Sequence, residues 1–409
     1  MIKRLIIGLI CLPFPVFAQV SMEDFLWSAL DAIELRALQQ QNAYLETKSY
    51  KLAPVRGVEF RTETNQLDPQ RQDFALRLNP ANPWEIKRNN EYFQTYQEVV
   101  QLNQDRSLKE LLNLHYSAIL DWTYLKEQIK LKKEDQQITE SLLQILEAQR
   151  YSSFFDAEDY AELKVDLLEK QSELEELSFE EEILKKRIES LSPLAKAQEI
   201  DWTMTDMVPI DRIEEWIERH QVSSENGEIA YRQKLVELAS AEWALEKSSL
   251  NIGYVQAQYQ QYRLEQERSP WSIGLGVRIP LFNPNKGKMA EKKLDIIEAQ
   301  GELTQAQNEQ EAGLLIMKTK VKTLTQRYRT IQSQLGDLDM DGMGNTLSEI
   351  KDSNPITELK LRRSLVKSKN VSVRLKRDIY QAYIDYLSHS ELLQKLPMVN
   401  YLQSEFSDR

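Results

Sequence analysis

One helical pattern in this sequence is far longer than an ordinary globular domain needs, and it restricts the folds open to the chain. In residues 85–150, apolar side chains recur every three to four positions, the spacing of one face of a helix. Examples are Leu142, Leu143, Ile145 and Leu146. At 1.5 Å per residue, such a helix would be about 100 Å long. Apolar positions separated by charges in this way are typical of coiled coils, so the pattern predicts long helical hairpins.

Composition agrees with long helices and narrows the functional classes. Only 12 glycines and 13 prolines occur in 409 residues, which indicates few turns. The formal net charge of −12 argues against a nucleic-acid partner, which would require a basic surface.

The N-terminus has the features of a secretory signal peptide. Lys3 and Arg4 precede an apolar run over 5–17, which is too short to span a bilayer, and Ala18 suits cleavage before Gln19. We therefore expect residues 1–18 to be removed on export. The only cysteine, Cys11, lies in this segment, so we expect neither a disulfide nor a thiolate metal site in the mature chain.

The remaining chain divides into two similar halves, each predicted to contain a helix, a β-hairpin and a long helical hairpin. Two proline-rich exits, RLNPANP at 77–83 and RIPLFNP at 278–284, mark where strands lead into long helices. The predicted segments are a first repeat at 19–192 with hairpin 55–79 and tip 151–159, a connector at 193–226, a second repeat at 227–396 with hairpin 251–280 and tip 336–355, and a tail at 397–409.

Three further helices are expected from the same patterns. The first repeat should begin with one helix over 21–52, and the last helix should continue to about residue 396. The connector should carry a short helix over 210–220, in which Trp216 packs on the neighbouring helices.

The predicted strands have one apolar and one polar face. Val58 and Phe60 alternate with Glu59 and Arg61, whereas the segment 251–263 has only a mild apolar face. Segments of about 10 residues suit strands that cross an outer membrane, and no later stretch could be a transmembrane helix. The alternative is a pair of half-buried hairpins in a soluble domain. The candidate lipid-facing residues are Val58, Phe60, Phe74, Leu76, Leu78, Ile273, Leu275, Val277 and Ile279.

Several motifs resemble the TolC-like outer-membrane efflux family. The segment WSIGLGVRIPLFNPNKGKMAE at 271–291 resembles the family's strand, turn and start of a long helix. RYSSFFDAED at 150–159 is similar to its first helical tip, although Phe154 stands where the family usually has glycine. The helix over 356–393 resembles the family's last helix.

This resemblance implies a mostly α fold with a small β part. Three chains with four strands each would close a 12-stranded outer-membrane barrel, since four strands are too few to close alone, and their helices would form a periplasmic α-barrel. The homotrimer would be a passive exit duct for a tripartite efflux or type I secretion system. A periplasmic adaptor and an inner-membrane pump would dock at the tips, near Arg150, Tyr151 and Phe154. The turn at 280–287 is most similar to the heavy-metal, CzcC-like branch.

No constellation of residues predicts an enzyme or a cofactor. His115, His220 and His389 lie on separate predicted helices without ligand spacing, and no glycine-rich loop follows a strand. DLDMDG at 337–342 begins like a calcium loop, but Ser348 occupies the position of its last carboxylate ligand. We expect an acidic, cation-selective entrance instead, with a solvated acidic turn as the alternative. Its residues would be Asp337, Asp339, Asp341, Asp352, Asp156 and Asp159.

Two other functional classes fit parts of the sequence, namely a periplasmic adaptor protein and a structural coiled coil of the periplasm. An adaptor would have one helical hairpin flanked by β-rich segments, whereas two helical hairpins and two strand pairs alternate here. A structural coiled coil would lack amphipathic strands. The pattern therefore favours the channel.

Overall fold

The computed structural model describes residues 19–64, 72–151, 155–196, 198–219, 226–261, 269–278, 285–337 and 355–403. Within these ranges the chain is mostly helical with one four-stranded antiparallel sheet, as the predicted fold class requires. The helices are α1 (Met22–Trp27), α2 (Ile33–Glu46), α3 (Pro83–Ala148), α4 (Ala157–Leu191), α5 (Ile210–Arg219), α6 (Gly227–Ser248), α7 (Lys286–Asp337) and α8 (Pro355–His389). The strands are β1 (Val55–Thr64), β2 (Gln72–Pro80), β3 (Gly253–Gln260) and β4 (Trp271–Val277).

The chain forms two compact units. The helical unit contains the described parts of 1–32, 108–223 and 313–409, and the sheet unit contains those of 33–107 and 224–312. In the described residues, no helix is both long enough and apolar enough to cross a membrane.

The core of the helical unit lies between α3 and α8. Tyr116 and Ile119 of α3 and Ile379 and Tyr383 of α8 are fully buried or nearly so. Trp216 of α5 meets the rings of Tyr383, Tyr386 and Tyr401 edge-on, at centroid distances of 5.8, 6.4 and 6.1 Å. The predicted packing of Trp216 is therefore confirmed.

Two predicted helices differ from the structure. The helix expected over 21–52 is interrupted by a 3-10 turn at Ser28–Asp31 and by extended backbone at Ala32. The last helix ends at His389 rather than near 396, because Glu391 adopts a positive φ of 58°. The Leu392 N–H then donates to the Leu387 carbonyl (3.0 Å), which closes the helix as a left-handed C-terminal motif does.

The sheet unit joins both halves of the sequence in one sheet. Its strand order is β1-β2-β3-β4, and all neighbours are antiparallel. The central β2–β3 pair connects the two halves, with Leu78 opposite Val255 and Phe74 opposite Tyr259. Strands β1 and β4 are the two edges.

Candidate functional site

One face of the sheet is a continuous apolar surface that nothing in the described chain covers. The register places Leu275, Val255, Leu78 and Val58 in one row across the four strands. Ile273, Leu275 and Val277 remain 81%, 76% and 79% exposed. Such an exposed apolar surface marks an interaction site in a folded protein. The remaining predicted members of this face are Phe60, Phe74, Leu76 and Ile279; the first three lie on it, whereas Ile279 lies outside the described residues.

The structure adds aromatic residues to this face. Trp271 is exposed and lies opposite Tyr259, with ring centroids 4.9 Å apart, and Phe74 completes the row. Trp271 was not predicted, although it precedes Ile273 by two residues and so continues the same alternation. Aromatic side chains at one end of an apolar face are typical of a membrane–water boundary.

The opposite face of the sheet is polar and centred on Arg77. Its guanidinium donates twice to Gln256 Oε1 (2.8 and 3.1 Å) and lies 3.9 Å from the centroid of the Tyr254 ring. Gly276 leaves room for that ring, because a Cβ there would lie 2.4 Å from Tyr254 Cε1. One face of this single sheet is therefore apolar, and the opposite face is polar.

The junction between β2 and α3 is held by buried polar residues. Asn82 caps α3 by accepting from the Trp84 N–H (3.0 Å) and donates to the Ser248 carbonyl (2.8 Å). Glu85 is buried and paired with Arg56. Pro83 begins the helix, as its fixed φ allows. These contacts tie the end of α6 to the start of α3.

The first helical tip is partly described. Tyr151 is 97% exposed and Arg150 is exposed, whereas Phe154 lies outside the described residues. Asp156 caps α4 by accepting from the Glu158 and Asp159 N–H groups (2.9 and 3.2 Å). The Asp156 carboxylate thus has a structural role at the helix start.

The second tip lies almost wholly beyond the described residues. Asp337 ends α7, whereas Asp339, Asp341 and Asp352 are outside the described ranges. Asp159, at the first tip, lies 3.9 Å from Lys360 Nζ. The acidic entrance therefore stays a prediction, and two of its six carboxylates already have partners. No metal-binding cluster of His, Cys, Asp or Glu occurs in the described part of the chain.

Sequence reasoning missed a buried ionic cluster between α3, α4 and α8. Lys170, only 4% exposed, donates to Thr139 Oγ1 (2.8 Å) and lies 2.7 Å from Asp135 Oδ2 and 3.4 Å from Asp166 Oδ2. Arg363 donates to Asp166 Oδ1 (2.8 Å). Two carboxylates are thus matched by two cations. The partners come from three distant segments, so no local motif announces them.

His115 is a packed histidine with a defined environment. Its Nδ1 lies 2.7 Å from the Leu111 carbonyl, so this nitrogen carries the proton. The ring packs on Phe25 at 4.7 Å, and its Nε2 lies 3.5 Å from Ser28 Oγ. Burial lowers the pKa of the imidazole because it disfavours the charged ring, and backbone hydrogen bonds oppose this only in part.

No protein-family model and no curated protein matches the sequence. Solved structures do match it along most of its length. The Campylobacter jejuni CmeC outer membrane channel has a TM-score of 0.67 at 12% identity, over 94% of this chain and 87% of that one.

Two further outer-membrane proteins give the same result. VceC of Vibrio cholerae has a TM-score of 0.65 at 12% identity, over 91% of this chain and 96% of that one. The open state of the Neisseria gonorrhoeae MtrE outer membrane channel has a TM-score of 0.63 at 10% identity, over 90% of this chain and 88% of that one. The single-chain fold expected from the TolC-like resemblance, mostly α with a four-stranded antiparallel sheet, is thus confirmed, and it is the fold of outer-membrane channel proteins. The trimer and its 12-stranded barrel stay predictions.

Proposed function

We propose that this chain is an outer-membrane channel, the passive exit duct of a tripartite efflux or type I secretion system. The observation that carries the proposal is the continuous, exposed apolar face of the sheet in a chain of long helical hairpins. In water that face would have to be covered, whereas lipid of the outer membrane suits it.

The assembly is a homotrimer. Strands β1 and β4 leave open edges, and unpaired edge groups are costly in a bilayer, where no water can satisfy them. Because β1 and β4 are antiparallel, three copies continue the same pattern and close 12 strands. Lipid then contacts the apolar face, and the polar face around Arg77 lines the lumen.

Export precedes assembly. Residues 1–18 direct the chain out of the cytoplasm, and the mature protein begins at Gln19. The two repeats each contribute one strand pair to the membrane and one long helical hairpin to a periplasmic tunnel. No cofactor is needed for a passive conduit, because an inner-membrane pump supplies the energy.

The tips form the periplasmic entrance. Arg150, Tyr151 and Phe154 contact the adaptor or pump, and the tip aspartates favour cations at the mouth. Replacing Asp337, Asp339 and Asp341 with Asn should lower the cation-over-anion permeability ratio of open trimers in planar bilayers. The similarity of the turn at 280–287 to the heavy-metal branch makes metal ions one candidate class of substrate, beside drugs and polypeptides.

The alternative is a structural or adaptor coiled coil of the periplasm, and it leaves the exposed sheet face unexplained. The deciding experiment is expression with the native leader, followed by membrane fractionation and light scattering in detergent. A channel should be recovered from the outer membrane as a trimer that conducts ions in planar bilayers. A monomer that stays in aqueous periplasmic extracts would contradict the proposal.

A further inference from the structure

Four segments of the sheet unit meet at the end of the sheet from which the long helices leave. The first two are joined by the pairing of β1 with β2. Asn82 Nδ2 donates to the Ser248 carbonyl (2.8 Å), and Asn285 Nδ2 donates to the Glu246 carbonyl (3.4 Å), so the other two segments lie beside them. We call these segments the basic belt. They are 47–56 before and at the start of β1, 81–88 after β2, 247–252 before β3 and 285–290 at the start of α7.

The basic belt has a charge opposite to that of the whole chain. It contains eight basic residues and one acidic residue, whereas the chain has a formal net charge of −12. The segments around the other end of the sheet, 61–73 and 260–270, contain four basic and five acidic residues. The excess of positive charge therefore lies on the helix side of the sheet.

Five of the eight cations have a local structural role. Lys48 follows the end of α2, and Lys247 lies in the last turn of α6. Cations at these positions stabilise a helix, because the carbonyl end of its dipole is negative. The other three pair with a nearby glutamate, Glu85 or Glu91, and they are Arg56, Lys87 and Arg88. These five residues are explained without any ligand.

The remaining three cations of the belt are not explained by the stability of the chain. Lys51, Lys286 and Lys288 are exposed and have no ion-pair partner among the described residues. Lys286 and Lys288 lie in the first turn of α7, which contains no acidic residue. The positive end of the helix dipole lies there, so two cations are unfavourable for the helix itself. Residues that break a local rule of stability in this way mark sites that serve a function.

An exposed tryptophan belongs to the same belt. Trp84 is 69% exposed and lies one helical turn before Lys87 and Arg88 on the same face of α3. Tryptophan is enriched at the boundary between lipid tails and headgroups. Phe74, in the aromatic row at the other end of the sheet, precedes Trp84 by ten residues, which corresponds to about 20–30 Å of chain. The apolar band of an outer-membrane barrel is about 25 Å tall, so the belt lies at the level of the headgroups of one leaflet.

We propose that the basic belt binds the headgroups of anionic phospholipids in the leaflet on the helix side of the membrane. The inference rests on the channel of the proposed function and adds the class of lipid that surrounds it. Each lysine or arginine near an anionic membrane surface strengthens binding by about fivefold. Lys51, Lys286 and Lys288 supply this charge, and Trp84 lies at the boundary with the lipid tails. A soluble anion would account for the charges but not for the exposed tryptophan and the apolar face beside them.

Quenching of Trp84 fluorescence by brominated lipid measures which lipid lies beside the belt. The mature chain is reconstituted in vesicles of phosphatidylcholine and phosphatidylglycerol, with bromine on one of the two lipids at a time. Because the chain contains seven tryptophans, the difference between the parent and Trp84→Phe isolates the signal of Trp84. At low salt, brominated phosphatidylglycerol should quench this signal more strongly than an equal amount of brominated phosphatidylcholine. The preference should fade near 1 M salt, where charges are screened within about 3 Å.

Lys286→Gln combined with Lys288→Gln tests the two unexplained cations of α7. This double variant should lower the preference for phosphatidylglycerol by up to about 25-fold. Its thermal stability should stay the same or rise, because the start of α7 loses two unfavourable charges. A merely structural role of the two lysines would lower the stability and leave the lipid preference unchanged. The matched control, Lys318→Gln with Lys367→Gln, removes two exposed lysines of the helical unit and should keep the full preference.

The outcomes separate the two proposals. If neither brominated lipid quenches the parent protein, the chain is not in the bilayer, and the channel proposal and this inference both fail. If both lipids quench Trp84 equally, or if the preference survives the change of Lys286 and Lys288 to Gln, only this inference is overturned. Loss of the preference in millimolar inorganic phosphate at constant ionic strength would show that the belt binds free phosphate. Tighter binding to peptidoglycan than to phosphatidylglycerol vesicles would show a different partner, and either result would overturn the assignment to lipid.

Discussion

Arginine in place of Leu275 gives the sharpest test of the apolar sheet face. Leu275 lies on β4 between Trp271 and Val277, and its side chain is 76% exposed. In water the change should cost little, because no packing is lost at so exposed a site. In a bilayer, a lipid-facing arginine near the midplane costs about 2–4 kcal/mol.

In the proposed trimer, three symmetric copies multiply that cost. The assembled channel should therefore lose about 6–12 kcal/mol, enough to abolish trimers in lipid while the isolated chain keeps its helices. The matched control is Gln258→Arg, which places the same side chain on the polar face opposite Ser272. It should assemble almost normally, because this face would line the hydrated lumen of the proposed channel.

The assay is trimer yield in lipid vesicles, measured by native gel and by light scattering after extraction. Helical content by circular dichroism provides the internal reference. Equal yields for Leu275→Arg and Gln258→Arg would refute the assignment of faces. Loss of helical structure in Leu275→Arg before any lipid is added would refute the reasoning about exposure.

Three further predictions concern the described residues. Lys170→Met leaves the buried Asp135 and the half-buried Asp166 without their ammonium partner and should cost about 3–5 kcal/mol in urea unfolding. The matched change Lys132→Met removes a partly exposed pair with Glu173 and should cost at most about 1 kcal/mol. Gly253→Ala should prevent correct sheet formation and so lower resistance to proteases, because φ is +129° and the new Cβ would lie 1.9 Å from the Gly276 carbonyl oxygen. The control is Gly274→Ala, where the nearest atom is 4.0 Å from the new Cβ, and this variant should keep its protease resistance. Because burial lowers the pKa of His115, the unfolded chain takes up a proton first as pH falls below about 6.5; stability should drop below that pH, and His115→Gln should flatten this part of the urea-unfolding profile.

The parts of the fold that could be predicted from sequence are those with a regular local pattern. The long helices repeat apolar positions over many turns, and β4 alternates apolar and small residues. The helical and the strand periodicity can therefore be recognised in the sequence without knowing which elements pack against them. β3 was weaker because Ala257 and Tyr259 gain their apolar context only from Ile273 and Trp271 beside them. Pairing across strands, rather than the strand itself, defines that face.

Other features depend on contacts that no local pattern encodes. Glu391 at a positive φ is an unusual residue for a helix end, where glycine is expected, and so it gave no stop signal. The partners of Lys170 lie on α3 and on its own helix, and Arg363 of the same cluster lies far along the chain.

The β2–β3 ladder has a consequence for how the protein matures. It joins residue 78 to residue 255, so the ladder closes a chain loop of more than 170 residues. For a flexible chain, ordering a loop of that size costs about 4–5 kcal/mol beyond a constant. The hairpins β1–β2 and β3–β4 are local and should form first. Each would then keep an open inner edge until the intervening helices bring the two hairpins together. During that interval the hairpins are exposed to mispairing with other chains. The slow step in biogenesis should therefore be the pairing of β2 with β3. Chaperones that shield strand edges should speed maturation more than any factor that acts on the helices.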